Sequence, residues 1–315
     1  MLSLLFKNKL MIRFTERSKK STIKHHSFHK FGTCVFMLNI NDQVLADIGK
    51  GFAIPARPDL LLKLQEIIAQ DEPSLDDVAD AITEDVAMSA TIIKTINSPL
   101  YGLARTISDI KKSVKYIGLQ GVYALVTSIL LKREFDQGNG EVFDKFWQDA
   151  TSIANAMVFI GKKVGVRGTS EKLFSIGLFH DCGIPVLTLK YPNYADVLAF
   201  AEKTPSKTLP EIEEHIYAVN HATIGYYVAT SWRLPKDICQ LILRHHDRDF
   251  LQMLDQTAIQ SEFAILKMAE NIVHQIKHFS DHADWSHICE SAFTVLNIDD
   301  EQYKDLVEDV TEHIL

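Results

Sequence analysis

The chain is 315 residues long, 46% hydrophobic and carries a net charge of -8, enough to bury a large core as one long domain or two ordinary ones. Its four cysteines, Cys34, Cys182, Cys239 and Cys289, lie far apart with no C-x-x-C pair, which argues against a disulfide framework or a structural zinc site and for a reducing, cytoplasmic setting. No run approaches the roughly 20 apolar residues of a membrane-spanning helix, so a soluble protein without a span is expected.

The charge is unevenly placed. Residues 1–36 carry eight Lys or Arg against Glu16 alone, which leaves -15 on the remainder. Such an acidic body is a poor non-specific partner for nucleic acid, whose binding relies on clustered Lys and Arg. Leu2, Leu5, Phe6, Leu10 and Phe14 interleave with Lys7, Lys9 and Arg13, as in a short basic helix lying on an anionic membrane or a partner. The plainer alternatives are a disordered tail or translation assigned upstream of a start at Met37. The segment is too short and broken for a signal peptide.

From Pro55 the spacing is helical. Asp59 is placed to cap a helix with Leu61, Leu62, Leu64, Ile67 and Ile68 on one face, and Asp71-Glu72-Pro73 ends it. Ser74 opens a capping box ahead of Val78, Ala81 and Ile82. Ala87 to Ile96 follows, stopped by Asn97-Ser98-Pro99-Leu100-Tyr101-Gly102. Ser108 starts a further helix, and Gly118 breaks it before Val122 to Leu131. Gln137-Gly138-Asn139-Gly140 reads as a linker, so residues 37–136 and 141–315 are expected as two helical parts. In the second, Phe143 to Val164 is a long helix carrying Trp147 and Asp149. Ser170 begins a run ending in His180-Asp181, and Thr208-Leu209-Pro210-Glu211 is a capping box ahead of His221. Phe263 to Ile276 carries Glu270. Short helices with turn-rich connections predict an all-α packing, and no convincing strand pattern appears.

Gly177-Leu178-Phe179-His180-Asp181-Cys182-Gly183-Ile184 sets a His-Asp pair at the end of an apolar run. An imidazole nitrogen and a carboxylate oxygen suit a divalent first-row metal, and Gly183 is expected to permit a sharp helix exit. Helical neighbours point about 100° apart, so an ion shared by the pair lies off the helix edge and takes further ligands from elsewhere. Asp149, His221, His245, His246 and Glu270 are the candidates. Of His245 and His246, at most one is expected to face a common site. The alternative for His180 and Asp181 is a structural pair that caps neighbouring helices, and His221 has the same alternative. Asn97, Ser98 and Tyr101 either close a turn on free backbone groups or contact an effector. Trp147 and Trp232 are expected as core or interface aromatics.

Five segments in order resemble the HDOD family, the HD-related output domains of bacterial signalling proteins and relatives of the HD and HD-GYP metal-dependent phosphohydrolases. They are Asn97 to Gly102, Ser113 to Gly118, Gly177 to Asp181, Asn220 to Gly225, and Trp232-Arg233-Leu234-Pro235 followed by His245-His246. The likeness runs from about Ile54 to about Val273. It implies a two-part, all-helical fold, with an N-terminal bundle of short helices and an HD-like helical subdomain.

The chain departs from the phosphohydrolase pattern at four places. Asp149 stands where those enzymes carry a histidine, Ile184 where HD-GYP proteins carry a lysine, and Glu270 where an aspartate closes the set. The Gly-Tyr-Pro loop is absent after His245-His246. The resemblance therefore implies a non-catalytic regulatory module of signal transduction, binding a partner protein or small effector and needing no cofactor. Its alternative is a metal-dependent phosphohydrolase acting on a nucleotide or cyclic dinucleotide. That enzyme would hold Mn, Fe, Ni or Zn on His180, Asp181, Asp149 and Glu270, with His221, His245 and His246 beside them or on a second ion. Nucleic acid is not expected as a partner, and a homo-oligomer is left open.

Overall fold

The computed structural model of the chain describes residues 51–314 apart from 99–100, 102, 137–139, 167–169, 205–206 and 253–257. The basic segment 1–36 and residues 137–139 of the expected linker lie outside the described residues. Among the described residues the regular structure is entirely helical, and the fold is all-α.

The described residues begin with α1 (Asp59–Ile68), α2 (Leu75–Thr83), α3 (Val86–Ile96), α4 (Ile110–Ile117) and α5 (Leu119–Asp136). Their starts follow from side-chain caps that satisfy free backbone N–H groups. Ser74 accepts from the Asp77 N–H at 3.2 Å, Asp85 from Met88 at 2.9 Å and Asp109 from Lys112 at 2.8 Å. Asp109, not Ser108, thus caps α4. Pro58 holds the cap position of α1, leaving Asp59 in its first turn, where a negative charge suits the helix dipole. Between α4 and α5 the chain bends by 113°. Gly118 makes the bend with φ 80°, a conformation that costs glycine little. Helix α5 is buried on most sides from Gly121 to Leu131, the mark of a central rather than a surface helix.

Next come α6 (Gly140–Lys163) and α7 (Ser170–Phe179), which pack along each other, with α7 also against α5. Then come α8 (Gly183–Lys190), α9 (Tyr194–Glu202), α10 (Leu209–Tyr217), α11 (His221–Ser231), α12 (Lys236–Arg244), a 3-10 turn at Phe250–Gln252, α13 (Ala258–His278), α14 (Trp285–Leu296) and α15 (Asp300–Ile314). Helix α13 lies against α6 and α14, and α11 against α8 and α12. Thr208 and Glu211 form the expected capping box. One stretch corrects the composition reading. Ser170–Lys190 is 21 residues with mean hydropathy 1.2, long and apolar enough to cross a membrane, but it is 67% buried inside the protein. The turn at His180–Cys182 also divides it, so it is a core segment.

Trp147 and Trp232 are both buried in the apolar core. Trp232 Nε1 donates to the Pro55 carbonyl at 2.9 Å, and Gln65 donates to the Trp232 carbonyl at 3.1 Å. The Tyr123 hydroxyl donates to the Arg233 carbonyl at 3.1 Å. These bonds tie the turn before α12 to α1 and α5, which fixes where the far end of α12 delivers His245 and His246. Asn97 clamps the turn after α3. Its Nδ2 donates to the carbonyls of Ile93 at 2.8 Å and Ile107 at 2.6 Å, and its Oδ1 accepts from the Ile107 N–H at 2.8 Å. The buried hydroxyl oxygens of Ser98 and Tyr101 have no hydrogen-bond partner among the described residues.

Candidate metal centre

Three helix ends meet at one point. Helix α7 ends at Phe179 and presents His180 and Asp181 in the turn before α8. Asn220 caps α11, accepting from the Thr223 N–H at 2.8 Å, which places His221 in the first turn. Helix α12 ends at Arg244, with His245 at its cap and His246 in the turn beyond. The two backbones nearest the pair touch. A Cβ on Gly183 would lie 2.0 Å from the His221 carbonyl oxygen and 2.8 Å from the Gly225 N, and Gly183 is not in the left-handed region. Gly183 is therefore required for close approach of α8 and α11, not for a helix exit.

Asp181, His221, His245 and His246 offer ligand atoms that all lie within 4.8 Å of one another. Asp181 Oδ1 is 3.3 Å from His221 Nε2 and 3.1 Å from His245 Nε2. His221 Nε2 is in turn 3.3 Å from His245 Nε2 and 3.0 Å from His246 Nε2. His245 and His246 both face the cluster, contrary to the expectation that one would point away. That expectation assumed a continuing helix, but α12 stops at Arg244, and the turn brings the second ring round.

The other ring nitrogens settle what the Nε2 atoms are. His180 Nδ1 donates to the Gly177 carbonyl at 2.8 Å and His245 Nδ1 to the Ile242 carbonyl at 2.7 Å. His221 Nδ1 donates to Glu213 at 2.7 Å, and His246 Nδ1 to Asp284 at 3.0 Å. Every neutral imidazole here is thus the Nδ1–H tautomer, assigned from its partner. Its Nε2 carries a lone pair aimed at the others. Acceptors 3.0 to 3.3 Å apart repel unless a proton or a cation lies between them. A ring held through Nδ1–H by a carbonyl or carboxylate is the usual support of a metal-bound histidine. The donor set fits a divalent ion.

Electrostatics agree. Glu213 is fully buried and accepts from the His221 backbone N–H at 2.9 Å, from its Nδ1, and from the Tyr194 hydroxyl. Burial opposes charge on His221, but Glu213 and Asp181 outweigh it and push the imidazole up to about 10. His180 is raised too, since Asp181 and Glu270 overcome its burial. Burial pulls His245 and His246 down. Asp181 is held well below the usual carboxylate range by His180, His221 and His245, against its burial. In the absence of metal the cluster binds protons, which a cation would displace.

A cavity of about 120 Å³ opens beside the cluster, lined by His180, Asp181, His246, Glu270 and, further out, Asp149, Lys277 and three more histidines. His180 Nε2 lies 3.2 Å from Asp181 Oδ2 and 3.6 Å from Glu270 Oε1. Glu270 is paired with buried Lys267 at 2.7 Å. Asp149 sits at the cavity rim with Lys277 at 2.6 Å, outside the tight group. Sequence reasoning missed Glu213, Asp284 and Lys267. Asp284 is buried and holds Arg248 at 3.0 Å as well as His246. No motif marks these residues; the packing of α10, of α13 and of the turn after it brings them to the histidines.

Fold and centre together define an all-helical, HD-like protein with a His/Asp cluster able to hold a metal. The HDOD domain family matches residues 54–248, and the chain belongs to that family. An uncharacterised protein of Treponema pallidum is 28% identical over 196 residues, 62% of this chain. The chain spans 38% of the length of that relative. Two crystal structures share the fold. One, from Shewanella amazonensis, is provisionally named a metal-dependent phosphohydrolase; it is 22% identical, with 87% of this chain and 98% of that chain covered and a TM-score of 0.59. The other, from Marinobacter aquaeolei, is provisionally named a signal transduction protein; it is 16% identical, with 86% and 62% covered and a TM-score of 0.59.

Proposed function

We propose that this chain acts in signal transduction as a regulatory module whose HD-type pocket holds a divalent transition metal and recognises a small anionic effector there. The observation that carries the reading is the set of imidazoles tied down through Nδ1 with their Nε2 lone pairs converging on Asp181. His221, His245, His246 and Asp181 would hold the ion, with His180 alongside. A nitrogen-rich set of this kind favours Fe, Ni or Zn over Mn or Mg. The bound metal would supply a Lewis-acidic site for an anionic oxygen.

Recognition rather than turnover follows from the surrounding charge. Phosphoryl transfer needs cations free to take the charge that develops on the transferring group. Here Lys277 is engaged by Asp149, Lys267 by Glu270, and Ile184 stands where a lysine would serve. The 120 Å³ cavity takes a phosphate-sized group but lies below the roughly 300–1,000 Å³ of sites that enclose a whole small molecule. The phosphohydrolase reading is kept as the alternative because the cavity opens onto His180 and Asp181, where a metal-bound water would meet a phosphoester.

Elemental analysis of purified wild type and Asp181→Ala, each checked by thermal melting, tests the centre. Near-stoichiometric Fe, Ni or Zn lost in the variant supports it, and metal-free wild type after soaking refutes it. Turnover of bis(p-nitrophenyl) phosphate by the loaded protein, abolished in Asp181→Ala, would overturn the regulatory reading in favour of the enzyme.

A further inference from the structure

We propose that a second transition-metal site lies at the mouth of the same cavity, held by His274 and His278 on the last turn of α13, with His282 closing it from the segment that follows. It shares no ligand with the Asp181, His221, His245, His246 cluster.

His274 and His278 are four residues apart, so they project from one face of the helix. Two histidines at that spacing are a known way for a helix to chelate zinc. Their rings stack with centroids 4.4 Å apart at 24°, and the His282 ring meets His274 edge-on at 5.5 Å and 87°. All three line the cavity that also touches His180 and Asp181. His278 is exposed, so its ring is free to turn until both nitrogens point at one ion. His282 is placed rather than loose. Its backbone N–H donates to Asn271 Oδ1 at 2.7 Å, and Asn271 Nδ2 donates to Asp281 at 3.1 Å and to the Tyr303 hydroxyl at 2.9 Å, which holds the turn after α13 against the helix.

The three rings differ from the inner four in what they lack. Among the described residues none of them makes an ion pair with a carboxylate. Their ring contacts are long: Ser280 Oγ is 3.4 Å from His274 Nε2, and the Asp284 N–H is 3.4 Å from His282 Nδ1. Imidazole donors at a half-open rim suit Zn, Ni, Co or Cu and not Mg or Ca. An ion here would stand between the inner centre and solvent.

The test is calorimetric titration of the chelator-stripped full chain with Ni(II), in wild type, His274→Ala with His278→Ala, His278→Ala alone, and Asp181→Ala. His278 is exposed, so its single variant keeps the fold, and melting curves check the others. Two equivalents in wild type are expected, falling to one both in the His274, His278 variant and in Asp181→Ala, with the outer event weakened in His278→Ala. A wild-type isotherm in the outer variants would overturn the proposal, as would complete loss of both events in Asp181→Ala. If wild type binds one equivalent and the outer variants lose it, this site stands and the inner centre fails. If only Asp181→Ala loses it, the reverse holds.

Discussion

Replacing Gly183 with alanine tests the geometry that brings the centre together. The added Cβ would sit 2.0 Å from the His221 carbonyl oxygen, where ordinary contact begins near 3.4 Å, so the backbones of α8 and α11 must part by about 1.4 Å. Neither contact atom belongs to a flexible side chain; the second is the Gly225 N at 2.8 Å. Overpacking of this kind costs about 2 kcal/mol, which for a domain of this size lowers Tm by roughly 4–8 °C. The shift falls where Asp181 and His221 must stay 3.3 Å apart, so metal affinity should drop by roughly tenfold or more, as for lost support of a metal ligand. Thermal melting and a chelator-competition titration, run side by side, read both effects. A Gly183→Ala protein that melts and binds like wild type would refute the close-approach argument.

Glu213→Gln keeps the shape but removes the charge behind His221, and should weaken metal binding by roughly 10–100-fold, checked by the same competition. Metal affinity should also rise with pH. His221 is pushed up to about 10, so its charge stabilises the fold fully below about 6.5 and that contribution is lost as pH rises through 10. A metal must displace that proton, so its apparent affinity should climb about tenfold per pH unit between those limits; a flat profile from isothermal titrations at several pH values would count against the assignment. Asn97→Ala removes three turn-closing bonds and should cost about 2 kcal/mol in denaturant melts while leaving metal stoichiometry unchanged; a variant that folds normally but loses an effector would make Asn97 a binding residue. Asp284→Asn strands Arg248 and His246 and should destabilise by about 3 kcal/mol at pH 7. Since Asp284 titrates below its ordinary 3.8, the difference from wild type should shrink progressively as pH falls below that value in acid-unfolding curves.

What the sequence disclosed was what depends on neighbours in the chain. Ser74 and Thr208 mark helix starts because a cap needs only the next three residues. The His180-Asp181 pair, His221 and His245-His246 were legible as candidates through their order. Glu213 and Asp284 were not, because a carboxylate on an amphipathic helix or in a turn resembles any solvated acid until packing buries it against an imidazole. The exclusion of one of His245 and His246 failed for a related reason: angular spacing holds only inside a helix, and Arg244 is the last helical residue. Gly183 shows the same limit, since a glycine needed for interhelical contact and one needed for a left-handed turn look alike in a sequence.

The balance of charge around the centre separates holding a cation from processing a phosphate. Asp181, Glu213, Glu270 and Asp284 surround the imidazoles; Asp181 meets the Nε2 atoms of His221 and His245, and the other three are held by donors: His221 and Tyr194 on Glu213, Lys267 on Glu270, and Arg248 with His246 on Asp284. Two nearby cations, Lys267 and Arg248, are spent on orienting carboxylates, which sharpens the ligand geometry but leaves them engaged when an anion approaches. An anion entering the cavity would therefore be held chiefly through the metal itself, and binding would report metal occupancy. The phosphohydrolase alternative would draw on a lysine at the position of Ile184, and Lys277 is already paired with Asp149.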